Sequence, residues 1–428
     1  MSGEARPAAF FPRLRRTTLP NRNRLLPISI TLLSGRNPRI RGFGWGRVGL
    51  PKAVRGGVAA VQHMLNRCHP LRARWRGPTS PLQGEVVAVE WVITILASAH
   101  ILAVPAHAQS VESFYRGRTV TIVVGYSVGG GYDALGRVLA RHLGKHIPGN
   151  PSVVVQNMPG AGSLRAANYL YNAAPKDGAT LGVFARGMAM EPLIGTSGTN
   201  FDARKFAWIG SGTNEVSVCA TWHASKVKTW SDALTTPFTV AGEGSGSDPD
   251  IFSVMLRNVL GAKMRLVSGY PGGADMTLAI ERGEVDGRCG WTWSSVKLQR
   301  PDWVADHKLN VLIQLAIQPS PELPGVPFIF DLATTERQRR IVELVLSRQE
   351  MGRPLVAPPG TPQDRKEALR SAFDATMADP DFIAEATARS LEVNPVKGAD
   401  LDKLLERLYS TPFAILAETK AIIAEGAK

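Results

Sequence analysis

From residue 119 onward, short β-branched runs alternate with stretches whose apolar residues recur every three or four positions. Residues 119–125, TVTIVVG, predict a strand, and Leu135, Val138, Leu139 and Leu143 predict a helix that Gly144 stops. Residues 152–156 and 180–184 predict two more strands, with a helix over 161–173 between them. After residues 213–220 the rhythm restarts: strands over 239–242 and 264–267 alternate with helices over 249–260 and 274–282. A strand over 309–317, a Pro-rich loop over 319–327 and helices over 362–378 and 381–389 complete the pattern. Leu369, Phe373 and Met377 form the buried stripe of the first of these two helices. Alternation of this kind builds mostly parallel sheets flanked by helices, an α/β fold in two lobes. Ligands of such sheets sit beyond the carboxyl ends of the strands, where every Gly-rich loop of this chain falls: 125–133, 185–188, 242–248 and 270–274.

The densest of these loops, GYSVGGGYD, admits three chemistries. Its glycines permit positive φ and close backbone approach, and the free N–H groups at the following helix start attract an anion. Asp133 is placed to cap that helix, which is expected to begin near it. As a dinucleotide fingerprint, Gly129, Gly131 and Ala134 have the spacing, but Gln156 and Asn157 stand where the ribose-binding acid belongs. As a nucleophile elbow, residues 125–129 fit G-x-S-x-G, with His223 or His307 as partner. A secreted α/β hydrolase using Ser127 is therefore the competing reading, weakened because no earlier strand of the lobe supplies an oxyanion loop. His142 and His146 are four apart, but Gly144 falls between them, so they read as surface residues rather than metal ligands. No metal or other cofactor is expected.

Charge divides the chain sharply. The whole carries a net +14, yet residues 1–108 hold 16 Lys and Arg against three acids, leaving 34 basic and 33 acidic residues in 109–428. A nearly neutral body argues against a nucleic-acid partner. Residues 1–85 read as a disordered basic leader, for which three accounts compete: a nucleic-acid-binding arm, an organellar transit peptide, or upstream sequence translated from a start codon placed too early. The third is favoured, because residues 86–108 have the marks of a signal peptide: an apolar run over 91–104, then Ala106-His107-Ala108, with cleavage expected after Ala108. Of the cysteines beyond that point, Cys219 and Cys289, seventy positions apart, read as two separate small core residues, with a disulfide left open.

Four ordered segments, VTIVVGYSVGGGYDALGRVLARHLGKHI, VVVQNMPGAGSLRAANYLYNAAPKDGATLG, VSGYPGGADMTLAIERGEVDG and PLVAPPGTPQDRKEALRSAFDATMADPDF, resemble the receptors of tripartite tricarboxylate transporters, the Bug family. The resemblance covers residue 111 to the carboxyl terminus. It implies a type II periplasmic-binding-protein fold, with residues 109–214 and 347–428 in lobe 1, residues 215–346 in lobe 2, and the ligand cleft between them. It also implies a monomeric periplasmic receptor, not an enzyme, that delivers a small organic acid to membrane permease subunits. A metabolite sensor for a signalling partner would share the same cleft. Carried over residue by residue, the resemblance assigns ligand contacts to Tyr126, Ser127, Gly129, Gly130, Gly131, Asp133 and Gly187 in lobe 1. In lobe 2 it assigns them to Ser245, Ser247, Tyr270, Gly272 and Gly273, and it matches Asp286 to the acid of a closing Gly-x-Val-Asp.

The family holds its carboxylate with backbone N–H groups, small hydroxyls and ordered water rather than a dedicated Arg. This chain departs from it where the cargo would sit. Arg186 precedes Met188-Ala189 in place of Thr-His, Asp275 replaces a Pro, and GRCGWTW after Asp286 brings Arg288, Trp291 and Trp293 close. The expectation is that Arg186 or Arg288 pairs with the carboxylate while Trp291 stacks on the body of the ligand.

Overall fold

A computed structural model describes residues 109–195 and 198–425; the basic leader and the signal peptide lie outside the described residues. Strands β1 (Thr119–Val124), β2 (Ser152–Asn157), β3 (Thr180–Val183), β4 (Ala207–Ser211), β10 (Pro354–Ala357) and β11 (Val396–Lys397) form one sheet, in the order β11-β4-β10-β3-β1-β2. Strands β5 (Ser217–Trp222), β6 (Phe238–Ala241), β7 (Met264–Val267), β8 (Gly287–Thr292) and β9 (Leu309–Leu315) form the other, in the order β7-β6-β8-β5-β9. Both sheets are mixed. β1 pairs in parallel with β2 and β3, while β10 runs antiparallel between β3 and β4. β6 pairs in parallel with β7 and β8, while β5 runs antiparallel between β8 and β9.

Helices cover both faces of these sheets, which is why the central strands are apolar runs rather than alternating ones. Helix α1 (Gly131–His142) lies on β1 and β2, α2 (Leu164–Asn172) on β3, and α6 (Gln363–Met377) and α8 (Gly398–Tyr409) on β4. In the second lobe α3 (Asp248–Leu260) packs on β7 and β8, α4 (Gly273–Glu281) on β6 and β8, and α5 (Trp293–Gln299) on β8. Leu369, Phe373 and Met377 are buried as their spacing on α6 predicts. The last helix, α9 (Phe413–Ala424), packs on α3, where the Asn258 side-chain amide donates to the Ile422 carbonyl at 2.7 Å. His142 and His146 are half-buried rather than superficial: each reaches a carboxylate of helix α7 (Pro380–Ala388) or its cap, His142 to Glu385 at 2.9 Å and His146 to Asp379 at 3.0 Å. A 3-10 turn over Leu143–His146 continues the helix past Gly144 and keeps both rings on one side.

Of the eleven strands among the described residues, β4, β5, β8, β10 and β11 are not among the six the hydrophobic pattern predicts. β4, AWIGS, is buried along its whole length and carries no alternation, and β8 holds Gly287 and Gly290. The structure also joins Cys219 to Cys289 in a disulfide, against the reading of two separate thiols. β5 and β8 are antiparallel neighbours, and a register shift between Val218 and Ala220 sets Cys219 against the Cys289 position. Pairing of that kind is invisible in a separation of 70 residues.

The chain crosses between the sheets twice, from β4 to β5 and back into β10, and the crossings touch. The Gly212 N–H donates to the Arg353 carbonyl at 3.4 Å, and Gly352 lies at φ +52° beside Thr213. A methyl group on Gly352 would lie 1.4 Å from the Thr213 carbonyl oxygen. Gly352→Ala is expected to destabilise the protein by at least about 2 kcal/mol, through positive-φ strain and displacement of the neighbouring crossing. Guanidinium unfolding of the variant beside the parent measures this, and an unchanged midpoint contradicts it.

Candidate functional site

The carboxyl ends of β1, β3, β6, β7 and β8 point to the same junction, and the loops that follow them meet there across the two sheets. The Ser127 N–H donates to the Pro271 carbonyl at 3.2 Å, and the Ser127 hydroxyl donates to Asp275 at 2.5 Å. The Gly162 N–H donates to the Glu243 carbonyl at 3.0 Å, and the Gln299 side-chain amide donates to the Gly129 carbonyl at 3.2 Å. The Ser245 hydroxyl reaches Glu191 at 3.2 Å. Glycine makes this closeness possible at two points. A methyl on Gly187 would lie 2.1 Å from the Gly246 carbonyl oxygen, and one on Gly272 would lie 2.4 Å from the Ser127 hydroxyl. The lobes are thus closed on each other around a residual cavity of about 30 Å³, room for one or two water molecules.

Tyr126, Tyr132, Glu243, Asp248, Arg288 and Thr292 are among the residues lining this cavity. The amino ends of α1 and α4 also open onto it through Gly130, Gly131 and Gly273, so two sets of free backbone N–H donors face it. Buried charges surround it. The Arg186 Nε donates to Asp248 at 2.6 Å and its Nη2 to the Ser217 hydroxyl at 3.0 Å. Burial opposes the charge of Arg186, but Asp248 more than offsets this and holds the guanidinium above its ordinary range. Arg348 donates to the Gly246 carbonyl at 3.2 Å and stands 3.7 Å from the other Asp248 oxygen. At the crossings, Arg353 pairs with Glu215 at 3.0 Å and donates to the hydroxyls of Thr292, Ser294 and Ser295.

Arg288 is held more loosely. Its Nη2 lies 3.5 Å from the Glu243 carboxylate, and its Nε is buried without a hydrogen-bond partner among the described residues. Burial depresses the guanidinium despite Glu243. Burial likewise pushes the Glu243 carboxyl up to about 7; Arg288 opposes the shift and the nearby Asp250 adds to it. Burial and the Glu243 charge together raise the Tyr126 phenol well above its ordinary value.

Of the residues assigned by resemblance, Tyr126, Gly130, Gly131 and Gly273 line the cavity, and so does Arg288, expected from the departures. Ser127 and Gly129 join the lobes around it. Asp133 clips the loop instead. Its carboxylate accepts from the Gly129 N–H, Arg137 and Asn157, and these donors, Arg137 foremost, overcome its burial and lower its pKa. It occupies the third position of α1, after the cap Gly130, so it reaches back to the loop like the acid of a capping box. Ser247 donates to Asp250 at 2.8 Å, and the Tyr270 hydroxyl turns to Glu284 at 3.4 Å. Asp286 accepts from the Thr239 N–H and hydroxyl near the start of β6, at the opposite end of that strand from the cavity.

Two expectations are corrected. Arg186, 1% exposed, is committed to Asp248 rather than presented to a ligand. Trp291 is fully buried among the second lobe's core residues, edge-on to Trp303 with ring centroids 6.4 Å apart, so stacking on a ligand is not its place. Glu243, Asp248, Tyr132 and Arg353 were missed. Glu243 and Asp248 did carry a signal, as acids inside the Gly-rich run 242–248; Arg353 had none, because its role depends on the second crossing. Ser127 faces Asp275 rather than an imidazole, and His223 lies at the far edge of the second sheet, its N–H donating to the Lys308 carbonyl.

Two α/β lobes, crossed twice by the chain and closed over a cleft at the carboxyl ends of their strands, define the periplasmic-binding-protein class. The family model described as "Tripartite tricarboxylate transporter family receptor" matches residues 135–418, and the chain belongs to that family, one of substrate-binding receptors rather than enzymes. It is 28% identical over 298 residues to the "UPF0065 protein in the TAR-I ttuE-ttuC' intergenic region" of Agrobacterium vitis, which spans 68% of this chain and 80% of the relative. The structure of the periplasmic binding protein BugD superposes with a TM-score of 0.59 at 19% identity, over 73% of this chain and 99% of that one. MatC from Rhodopseudomonas palustris with bound malate superposes with a TM-score of 0.56 at 21% identity, over 72% of this chain and 99% of that one. At these identities the superpositions establish the fold.

The raised Glu243 pKa has a consequence for stability. The folded state holds this proton more tightly than the unfolded chain, so the contribution is full below about pH 4.5 and is lost as the pH rises through about 7. Glu243→Gln, which mimics the protonated form, is expected to melt above the parent at about pH 8 and level with it at about pH 4.5. Calorimetric melting at both values checks this; equal displacement at the two pH values contradicts it.

Proposed function

We propose that the protein is a periplasmic receptor that captures a small organic acid and passes it to membrane permease subunits of a tripartite transporter. The observation that supports this most directly is Arg288, a buried guanidinium with an unpartnered nitrogen, lining a cavity onto which two helix amino ends open. Such a setting favours an anion: the helix ends supply oriented N–H donors and partial positive charge, and Arg288 supplies a full one. Export to the periplasm rests on the apolar run and the small-residue cleavage site that end at Ala108. Among the described residues no helix is long and apolar enough to cross a membrane.

The mechanism follows from the closed geometry. A cavity of about 30 Å³ admits no organic acid until the lobes part, and the paired crossings at 212–216 and 352–353 are where they would rotate. In the open state the N–H groups of α1 and the side chain of Arg288 face water from opposite lobes. A carboxylate bridging them draws the lobes together, and closure re-forms Ser127 with Asp275 and Arg186 with Asp248 around it. That MatC holds malate on the same fold supports a carboxylate as the bridging group. Direct contacts across the cleft limit the occupant to a compact molecule.

A thermal-shift screen of the purified full chain against mono-, di- and tricarboxylates and aromatic acids tests this reading. At least one acid at 100 times its Kd is expected to stabilise the chain by about 2.7 kcal/mol, and to be returned unchanged. Arg288→Ala is expected to abolish that shift while still folding. Stabilisation that survives in Arg288→Ala would place the anion elsewhere, and hydrolysis of the bound compound would restore the enzyme reading.

A further inference from the structure

The charges around the cavity do not cancel evenly. Asp248 is met by Arg186 at 2.6 Å and by Arg348 at 3.7 Å, so its charge is matched within the protein. Asp250 accepts from the N–H groups of Glu243 and Gly244 at 2.7 and 2.9 Å and from the Ser247 hydroxyl at 2.8 Å, with the Ser268 hydroxyl on its other oxygen. It holds the loop rather than facing a ligand. Glu243 and Arg288 are different. Glu243 follows the carboxyl end of β6, Arg288 lies near the start of the adjacent parallel strand β8 opposite Ala241, and both line the cavity 3.5 Å from each other. Glu243 has the Tyr126 hydroxyl as a further neighbour, and Arg288 keeps a buried nitrogen without a hydrogen-bond partner among the described residues; Arg186 and Arg353 keep such nitrogens too, but neither lines the cavity. The cavity wall therefore offers one loosely held cation beside one loosely held anion.

An occupant has to satisfy both. A dicarboxylate places one carboxylate on Arg288 and so crowds it against Glu243, anion beside anion in a dry site where such repulsion is poorly screened. A molecule with an ammonium group next to its carboxylate meets the wall charge for charge. Resting on the organic-acid receptor reading, we propose that the cleft selects amino-bearing carboxylic acids, Arg288 taking the carboxylate and Glu243 the ammonium group. Glu243 is thus a specificity-determining residue. It belongs to this chain's own Gly-rich run, GEGSGSD.

Titration calorimetry of the full chain with matched pairs, aspartate against succinate and glutamate against glutarate, isolates the ammonium group. The amino-bearing member of at least one pair is expected to bind about tenfold tighter or better, and Glu243→Gln is expected to erase that preference, weakening the amino-bearing member and tightening its dicarboxylate counterpart. The preference is also expected to shrink from about pH 8 to about pH 5.5 as Glu243 takes up a proton in the company of Arg288, Tyr126, Asp248 and Asp250. Because the pairs are compared in the parent protein, the test stands even if the variant folds poorly. Equal or tighter binding of succinate and glutarate overturns the proposal and leaves the organic-acid receptor intact. Silence of all four compounds, alongside binding of an unrelated acid without an amine, overturns it in the same way. Failure of every carboxylate to bind overturns both readings together.

Discussion

A buried charge must be matched within the protein, and the junction between the lobes is built from that requirement. Arg186, Arg348 and Arg353 are each 1% exposed, and the acids that meet them, Asp248 and Glu215, come from the other lobe or from the crossing segments. Separating the lobes leaves Arg186 and Asp248 to water, while closing them removes both from it. Breaking such a pair by removing one partner costs several kcal/mol, whereas replacing both by apolar groups often costs nothing, so their value here is in defining which closed arrangement forms. An apolar interface would also close, but with less demand on register.

The same requirement explains the crossings. Arg353 sits one residue before β10 and reaches Glu215, two residues before β5, so one ion pair ties together the two strands by which the chain changes lobe. Its hydrogen bonds to Thr292, Ser294 and Ser295 extend the tie to the amino end of α5. Gly352 lets the backbone turn directly beside Thr213 at φ +52°. The two crossings therefore form a narrow strip in which side chains are locked and backbone is compact. The Cys219–Cys289 bridge lies in the strands just beyond, stiffening the antiparallel pair that continues from the crossing.

Much of the fold was legible because its signals are local. Parallel strands buried on both faces read as apolar runs, helix stripes recur at fixed spacing, and Gly-rich loops mark the strand ends that build a cleft. The site was legible in its glycines, in Tyr126 and in Arg288. Arg186 and Trp291 stand close to the cleft in sequence order, but which way they face depends on partners from other segments: Asp248, 62 positions on, claims the first, and Trp303 helps bury the second. Glu243 and Asp248 lay in a run whose glycines drew attention from its acids. The disulfide and Arg353 required knowledge of register and of the return crossing, neither of which has a local pattern.

The departures from the family then acquire a common physical sense. Asp275, where a Pro is usual, gives the Ser127 hydroxyl a partner across the cleft, and Arg186 gives Asp248 one. Both contacts join the lobes directly, so they favour the closed arrangement whatever occupies the cavity. Discrimination falls to whatever the closed protein leaves poorly satisfied. Arg288 and Glu243, 3.5 Å apart and desolvated, are the loosely paired charges that line the cavity: a ligand gains by improving a weak contact, not by replacing a strong one. On the proposed reading, selectivity among ligands rests on that one charge pair, while the other pairs hold the lobes together.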